Sequence, residues 1–387
     1  MKRILCLLTM ICLTLTACGR GESDNDNNNT DIQSVSLDFT CTTSYSDSGM
    51  VYQNESGILH FYDLASGYDT ALCSKANCKH EGVIAANPKP TCDGYVEGSC
   101  YSPAIYGDDL YFLYTPDKKE SSYADLSTKV LCKADKDGTN RSEIARLDNA
   151  QTISASAYSG HYYACAYYNS FDDNGQSLDK RVCKLSVIDL DSGRICTTPS
   201  YENTQGIINK ICFDGESVVF AYTYTTEDID LSKQNDSDYD EYLKGIIKTE
   251  LIRFNFAGGE AENICTLDSS ITDIGFGYAL TDEDETSLIS LSDGSRKILD
   301  SQYSPYLITD KGVLVYSKDD YSLALFDISS DKMTKLGIKD KNTSIAAITD
   351  SYVYMYYSVG KDTFLGFVEK AALLSGKECE LTKIKAV

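Results

Sequence analysis

Apolar and polar positions alternate with a period of two along most of this chain, and the alternation comes in paired runs broken by short polar bends. "LHFYDLASGYDTAL" from Leu59, "LCKADKDGTNRSEI" from Leu131, "LSVIDLDSGRICTT" from Leu185 and "LIRFNFAGGEAENI" from Leu251 share one plan. "SLISLSDGSRKIL" from Ser287, "LALFDISSDKMTKL" from Leu323 and "VEKAALLSGKECEL" from Val368 repeat it. Each reads as a strand, a tight turn with glycine, aspartate or serine at the bend, and a second strand. A second hairpin precedes most copies, as in "YSDSGMVYQ" from Tyr45, "IYGDDLYFLY" from Ile105, "AYSGHYYACAYY" from Ala157 and "CFDGESVVFAYT" from Cys212. "ITDKGVLVYS" from Ile308 and "ITDSYVYMYYS" from Ile348 continue the series, and "GFGYALTDE" from Gly275 follows it least closely. Two hairpins per unit make four antiparallel strands, each sheet apolar on both faces.

Seven such units predict an all-β chain folded as a β-propeller of seven four-stranded blades, in which radial stacking buries both faces of every sheet. A β-sandwich does not accommodate seven similar double hairpins. "SVSLDFTC", residues 34–41, alternates like a strand but has no partner of its own, so it is expected to join the last blade and close the ring. The turns between first and second strands and between third and fourth are short. The opposite set carries the insertions, at 115–129, 169–181 and 225–245, together with a cysteine-rich link from about Ser74 to Ser102. Long loops on a rigid scaffold are where binding concentrates, so the loop face over units 1 to 4 is the expected recognition face.

Ahead of the repeats, "MKRILCLLTMICLTLTAC" has Lys2 and Arg3 followed by an apolar run from Ile4 to Leu15, too short to span a bilayer. It reads as a signal peptide over 1–17. Leu15-Thr16-Ala17-Cys18 resembles the lipobox of bacterial lipoproteins. The resemblance implies cleavage before Cys18 and lipidation of its thiol, and so a lipid anchor at the extracytoplasmic face of the cell membrane. Two or three acyl chains anchor firmly where one does not. Residues 18–33 are acidic and Asn-rich and read as a disordered tether; residues 34–387 form the propeller domain.

The "DLDSG" and "DKDGTN" turns resemble those of low-density-lipoprotein-receptor-like and WD-repeat-like propellers. Together with the lipobox, the Asn-rich tether and "LCSKANCKH", they resemble a group of propeller lipoproteins of anaerobic Gram-positive, Clostridia-type bacteria. That resemblance covers essentially the whole chain after the signal peptide, and what it implies is a fold and an address rather than an activity.

Composition narrows the function. The net charge of −23 excludes nucleic acid, which requires a basic patch. Glu227, Asp228, Asp230, Asp236, Asp238, Asp240 and Glu241 crowd the fourth insertion, but their spacing matches no calcium loop, so they read as a solvated acidic loop. Of 15 cysteines, Cys6 and Cys12 leave with the signal and Cys18 takes lipid. Cys132, Cys165, Cys183, Cys212 and Cys265 fall in strand patterns and read as small buried hydrophobes. Cys73, Cys78, His80 and Cys92 lie in the first link. Three thiolates and an imidazole complete a closed zinc set, and a structural zinc would staple that link. Disulfides, Cys73–Cys78 with Cys92–Cys100, or unlinked thiols are the alternatives.

Catalytic signatures are not found. His60 and His161 sit in strand patterns as ordinary partnered side chains, and no nucleophile triad or phosphate-binding loop is present. No catalytic or cofactor-binding residue is assigned. The expected function is therefore a monomeric, surface-anchored propeller recognising a protein, peptide or glycan. An extracellular carboxylate-dependent glycan hydrolase or lyase, and a structural envelope protein, stand as alternatives.

Overall fold

A computed structural model of the chain describes residues 43–84, 87, 90–116, 128–172, 174–233, 238–282, 286–338, 343–359 and 361–384. The signal peptide, Cys18, the tether, the 34–41 segment, Asp236 and most of the 115–129 insertion lie outside the described residues. Seven antiparallel sheets follow one another: blade 1 over residues 43–71, blade 2 over 100–147, blade 3 over 152–197, blade 4 over 207–267, blade 5 over 271–298, blade 6 over 303–335 and blade 7 over 343–383. Strands succeed one another in chain order across each sheet, and the first strands of successive blades are neighbours from blade 1 to blade 6. This is the seven-bladed β-propeller that the alternation predicts, with the poorly patterned fifth unit a full blade.

The period of two does its work at the seams. In the second strand of blade 2, Leu110 and Phe112 pack with Val51 and Leu59 of blade 1, while Tyr111 and Leu113 pack with Ile153 and Tyr163 of blade 3. Blade 4 repeats this: Val218 and Phe220 face blade 3, and Val219 and Ala221 face blade 5. One apolar cluster fills each seam, the last joining blades 7 and 1. Cys132, Cys165, Cys183 and Cys212 are buried in these clusters and Cys265 packs against one, the small-hydrophobe places expected of them.

The outer turns also join blades. In blade 3, Asp189 accepts the N–H groups of Asp191 and Ser192 at 3.0 and 2.8 Å, and Gly193 follows at φ +71°. A Cβ on Gly193 would stand 2.6 Å from the Ile144 carbonyl oxygen of blade 2. Glycine is required there both for the left-handed backbone and for the close approach.

Two expectations change. The 169–181 segment is not a loop: strands Tyr162–Phe171 and Ser177–Asp189 pair out to Phe171 and Ser177, and Tyr201–Asn203 adds beside Arg181–Cys183. Its polar residues are those of a ribbon solvated on both faces. The last outer turn is helical, with Lys370–Leu374 forming a single turn before Gly376 at φ +75°. Lys, Ala and Leu are strong helix formers, and Leu373 is fully buried. Among the described residues, the four strands of blade 7 come from residues 343–383, the outermost being Thr382–Lys383, and the 34–41 segment expected to join that blade lies outside them.

Blades 7 and 1 meet through side chains. Tyr45 and Tyr354 lie with ring centroids 4.8 Å apart, and the Tyr354 hydroxyl donates to the Ser46 carbonyl at 2.8 Å. Asp47 accepts the backbone N–H and the hydroxyl of Ser351 at 2.9 and 3.0 Å.

Candidate metal centre

Cys73 follows the outer strand of blade 1, Tyr68–Ala71, and starts the long link to blade 2. The chain then reverses twice. Cys78 N–H donates to the Lys75 carbonyl at 3.2 Å with Asn77 at φ +61°, and His80 takes φ +51°. Left-handed conformations are uncommon outside glycine, with Asn and His among the tolerated residues. These two turns bring the Cys78 thiol and the His80 imidazole back beside Cys73.

Cys92 arrives from the far end of the link. There Leu59 N–H donates to the Gly94 carbonyl at 2.8 Å and Val96 N–H to the Gly57 carbonyl at 2.9 Å, so residues 94–96 run as an added edge beside blade 1. Across the seam, Arg141 of blade 2 donates to the carbonyls of Tyr95, at 2.8 Å, and of Asp93. Asp137 takes hydrogen bonds from Thr139 and Ser74, which hold its carboxyl below the usual range.

The ligand atoms of Cys73, Cys78, His80 and Cys92 all lie within 4.8 Å of one another. Cys92 Sγ and His80 Nδ1 stand 3.5 Å apart. Ligands of a tetrahedral zinc are about 3.5–3.8 Å apart, so the set needs to draw in by about an ångström. The thiols differ. Burial acts to raise Cys73, but N–H groups of Asp93 and Lys75 and the neighbouring thiols outweigh it and lower its pKa. Burial pushes Cys92 up to about 12, so metal binding would release its proton. Lys75, paired with Asp93 at 2.5 Å, lies beside the cluster, where the nearby thiols help to hold its charge. Four protein ligands with no open position make a structural centre rather than a catalytic one.

Cys100 is not part of this group. It begins the inner strand of blade 2, fully buried, and its N–H donates to Gln53 Oε1 at 2.8 Å. The described cysteines are all free thiols, so the Cys73–Cys78 and Cys92–Cys100 pairs are not formed. Both histidines have partners, but His161 lies in the bend before Tyr162–Phe171 rather than in a strand. His60 meets Asp69 at 3.1 Å and Asn54 at 3.1 Å, and His161 lies 3.4 Å from Asp191.

The fourth insertion is built, not bare. Helix α1, Tyr239–Ile246, sets the Tyr242 hydroxyl to accept from Asp230 N–H at 3.0 Å and donate to the Asp228 carbonyl at 3.3 Å. Asp228 also accepts from Thr204 in the blade 3–4 link at 2.9 Å. These acidic residues serve as internal fasteners as well as solvated charge.

One carboxylate at the inner strands stands apart. Asp273 of blade 5 is 5% exposed and accepts the Ile308 N–H of blade 6 at 2.7 Å. Burial raises its pKa to about 6 against the opposing backbone hydrogen bonds and Lys210. The folded state therefore holds this proton more tightly than the unfolded chain. The resulting stability is complete below about pH 4 and is lost as pH rises to about 6. Asp273→Asn is expected to raise stability by on the order of 2 kcal/mol at pH 7 and by almost nothing at pH 4, read from urea midpoints at the two pH values.

No protein-family model and no curated protein matches the chain. Solved structures do, at the level of fold. A Mycobacterium tuberculosis puromycin-hydrolyzing peptidase superposes with a TM-score of 0.53 at 10% identity, over 92% of this chain and 54% of that one. The acylaminoacyl peptidase of Pyrococcus horikoshii gives 0.51 at 13% identity, over 91% and 54%. This chain thus spans about half the length of either peptidase. The β-propeller domain of the Trilobed protease from Pyrococcus furiosus, described as having an open velcro topology, gives 0.51 at 10% identity over 90% of this chain and 97% of that domain. The chain is similar in fold to the propeller domains of peptidases.

Proposed function

We propose that this protein is a binding propeller, held by lipid on Cys18 at the extracytoplasmic face of the cell membrane. It recognises a protein, peptide or glycan through the loop face of blades 1 to 4, and a structural zinc on Cys73, Cys78, His80 and Cys92 fixes its longest link. The observation that carries the reading is the fastening of the two long insertions. The 72–98 link is tied to both flanking blades and converges four metal-ligand atoms, and the 226–246 insertion is pinned by Tyr242 and Thr204. The ring itself needs neither, since the links between blades 4 and 5 and between blades 5 and 6 take only a few residues. Preorganised loops pay less ordering entropy on binding.

The test is a photo-crosslinking amino acid placed on whole cells at Lys79 or Tyr239, with Ser330 on the opposite turns as control. Adducts of one defined mass from the two loop positions and none from Ser330 are expected; adducts from Ser330 alone would contradict the assignment. In the same cells, Cys18→Ser is expected to move the chain from the membrane fraction to the medium. Retention in the membrane would contradict the anchor.

A further inference from the structure

At the turn end of the blades, away from the long loops, a pocket opens between the inner strands of blades 1, 2 and 3. We infer that this pocket binds the acetamido group of an N-acetylated amino sugar, with the sugar ring resting on Tyr106 at its mouth. The pocket is small, with room for about three water-sized groups, too little for a ring but enough for an amide and its methyl.

The floor is chemically unusual. Ser102, Ser156 and Tyr163 are all buried there, and the two serine hydroxyls pair with each other. Ser102 sits in an inner-strand bulge at φ +46°, a costly conformation for a non-glycine residue and one found at functional sites. Tyr163 is 1% exposed, and its hydroxyl lies beside those of Ser102 and Ser156 without a hydrogen bond of full geometry. A buried tyrosine hydroxyl normally finds a partner. Hydroxyls both donate and accept, so this group can match an amide N–H and C=O together. Val51, Ala104 and Ala157 supply the apolar wall that a methyl group needs.

The mouth favours a neutral, ring-shaped ligand. Tyr158 lines the pocket and packs edge-on against Tyr106, with centroids 5.8 Å apart, and Tyr106 is 44% exposed. His161 stands on the far side of Tyr106 at 6.2 Å. No charged residue lines the pocket. Of the nearby carboxylates, Asp108 pairs with Lys136 and Asp109 with Lys133. The lining itself offers an ion no counter-charge, whereas an amphipathic aromatic face suits the C–H face of a pyranose.

The site lies at the opposite end of the blades from the loop face, so its failure leaves the loop-face reading standing. The test is ligand-observed NMR on the full chain with N,N′-diacetylchitobiose, and with cellobiose as the same disaccharide frame without acetamido groups. Saturation transfer should be strongest at the acetamido methyl, with cellobiose at least tenfold weaker. Tyr163→Phe should weaken the acetylated sugar about tenfold with little change in the melting temperature, because the hydroxyl makes no well-formed hydrogen bond to lose. Tyr106→Ala should weaken it as well. Equal binding of cellobiose, unchanged affinity in Tyr163→Phe, or tighter binding of N-acetyl-asparaginamide than of the sugar would each overturn the assignment.

Discussion

Replacing Tyr354 with alanine is expected to destabilise the propeller by about 3–5 kcal/mol, the range for truncating a fully buried aromatic side chain. Tyr354 is 0% exposed and central to the last seam. Elsewhere each seam joins consecutive blades that the chain itself connects. Among the described residues no connection joins blades 7 and 1, and the strands of blade 7 described there all come from residues 343–383. The contacts there include the Tyr45–Tyr354 ring pair, the Tyr354–Ser46 and Tyr45–Tyr356 hydrogen bonds, the Asp47–Ser351 pair and the apolar cluster around Tyr354. Tyr354→Phe should cost about 1 kcal/mol, since it removes only the bond to Ser46. Asp47→Ala should cost less than about 1 kcal/mol, because Asp47 and Ser351 are both exposed and water replaces the carboxylate. The order Tyr354→Ala, then Tyr354→Phe, then Asp47→Ala is the checkable result, measured by denaturant unfolding. Hydrogen exchange should show the 49–53 and 352–359 strands losing protection first. Equal protection losses in all blades would mean that this seam is not the weak one.

The second large effect concerns the metal. Removing zinc by a strong chelator, or replacing Cys92 with serine, is expected to destabilise the chain by about 4 kcal/mol if free zinc stands about a thousandfold above its dissociation constant. The loss should be local before it is global. Amides of Leu59 and Val96, which bridge the link and blade 1, should exchange freely, while those of blades 4 to 6 stay protected. Cys196→Ser, in the outer strand of blade 3, leaves the metal ligands untouched and serves as the control. A chelator that changes neither the unfolding midpoint nor the exchange of these amides would remove the staple from the account.

Much of this was legible before the structure. The period of two exposes both faces of each blade to burial, and alternate residues such as Leu110 and Tyr111 duly part to opposite seams. Turn glycines and aspartates located the hairpins because tight turns permit few residues. The Cys73–Cys92 cluster was readable because soft ligands at close spacing are rare in a link. Other features depend on contacts that spacing does not encode. Cys100 looked like a disulfide partner for Cys92, yet it begins a strand whose neighbours lie in the blade 1–2 core. The 169–181 segment looked like a loop because its ribbon buries nothing. The last turn looked like a hairpin because strand and helix signals overlap in "VEKAALLSG", and burial of Leu373 decides for the helix. The hydroxyl-lined pocket was invisible, since Ser102, Ser156 and Tyr163 come from two blades and are aligned by a bulge.

The most direct test of the account is elemental analysis of the purified, unsupplemented chain. The account predicts about one zinc per chain, falling to about zero in Cys92→Ser. A folded wild-type chain carrying less than about a tenth of a zinc, with its thiols still free, would contradict it.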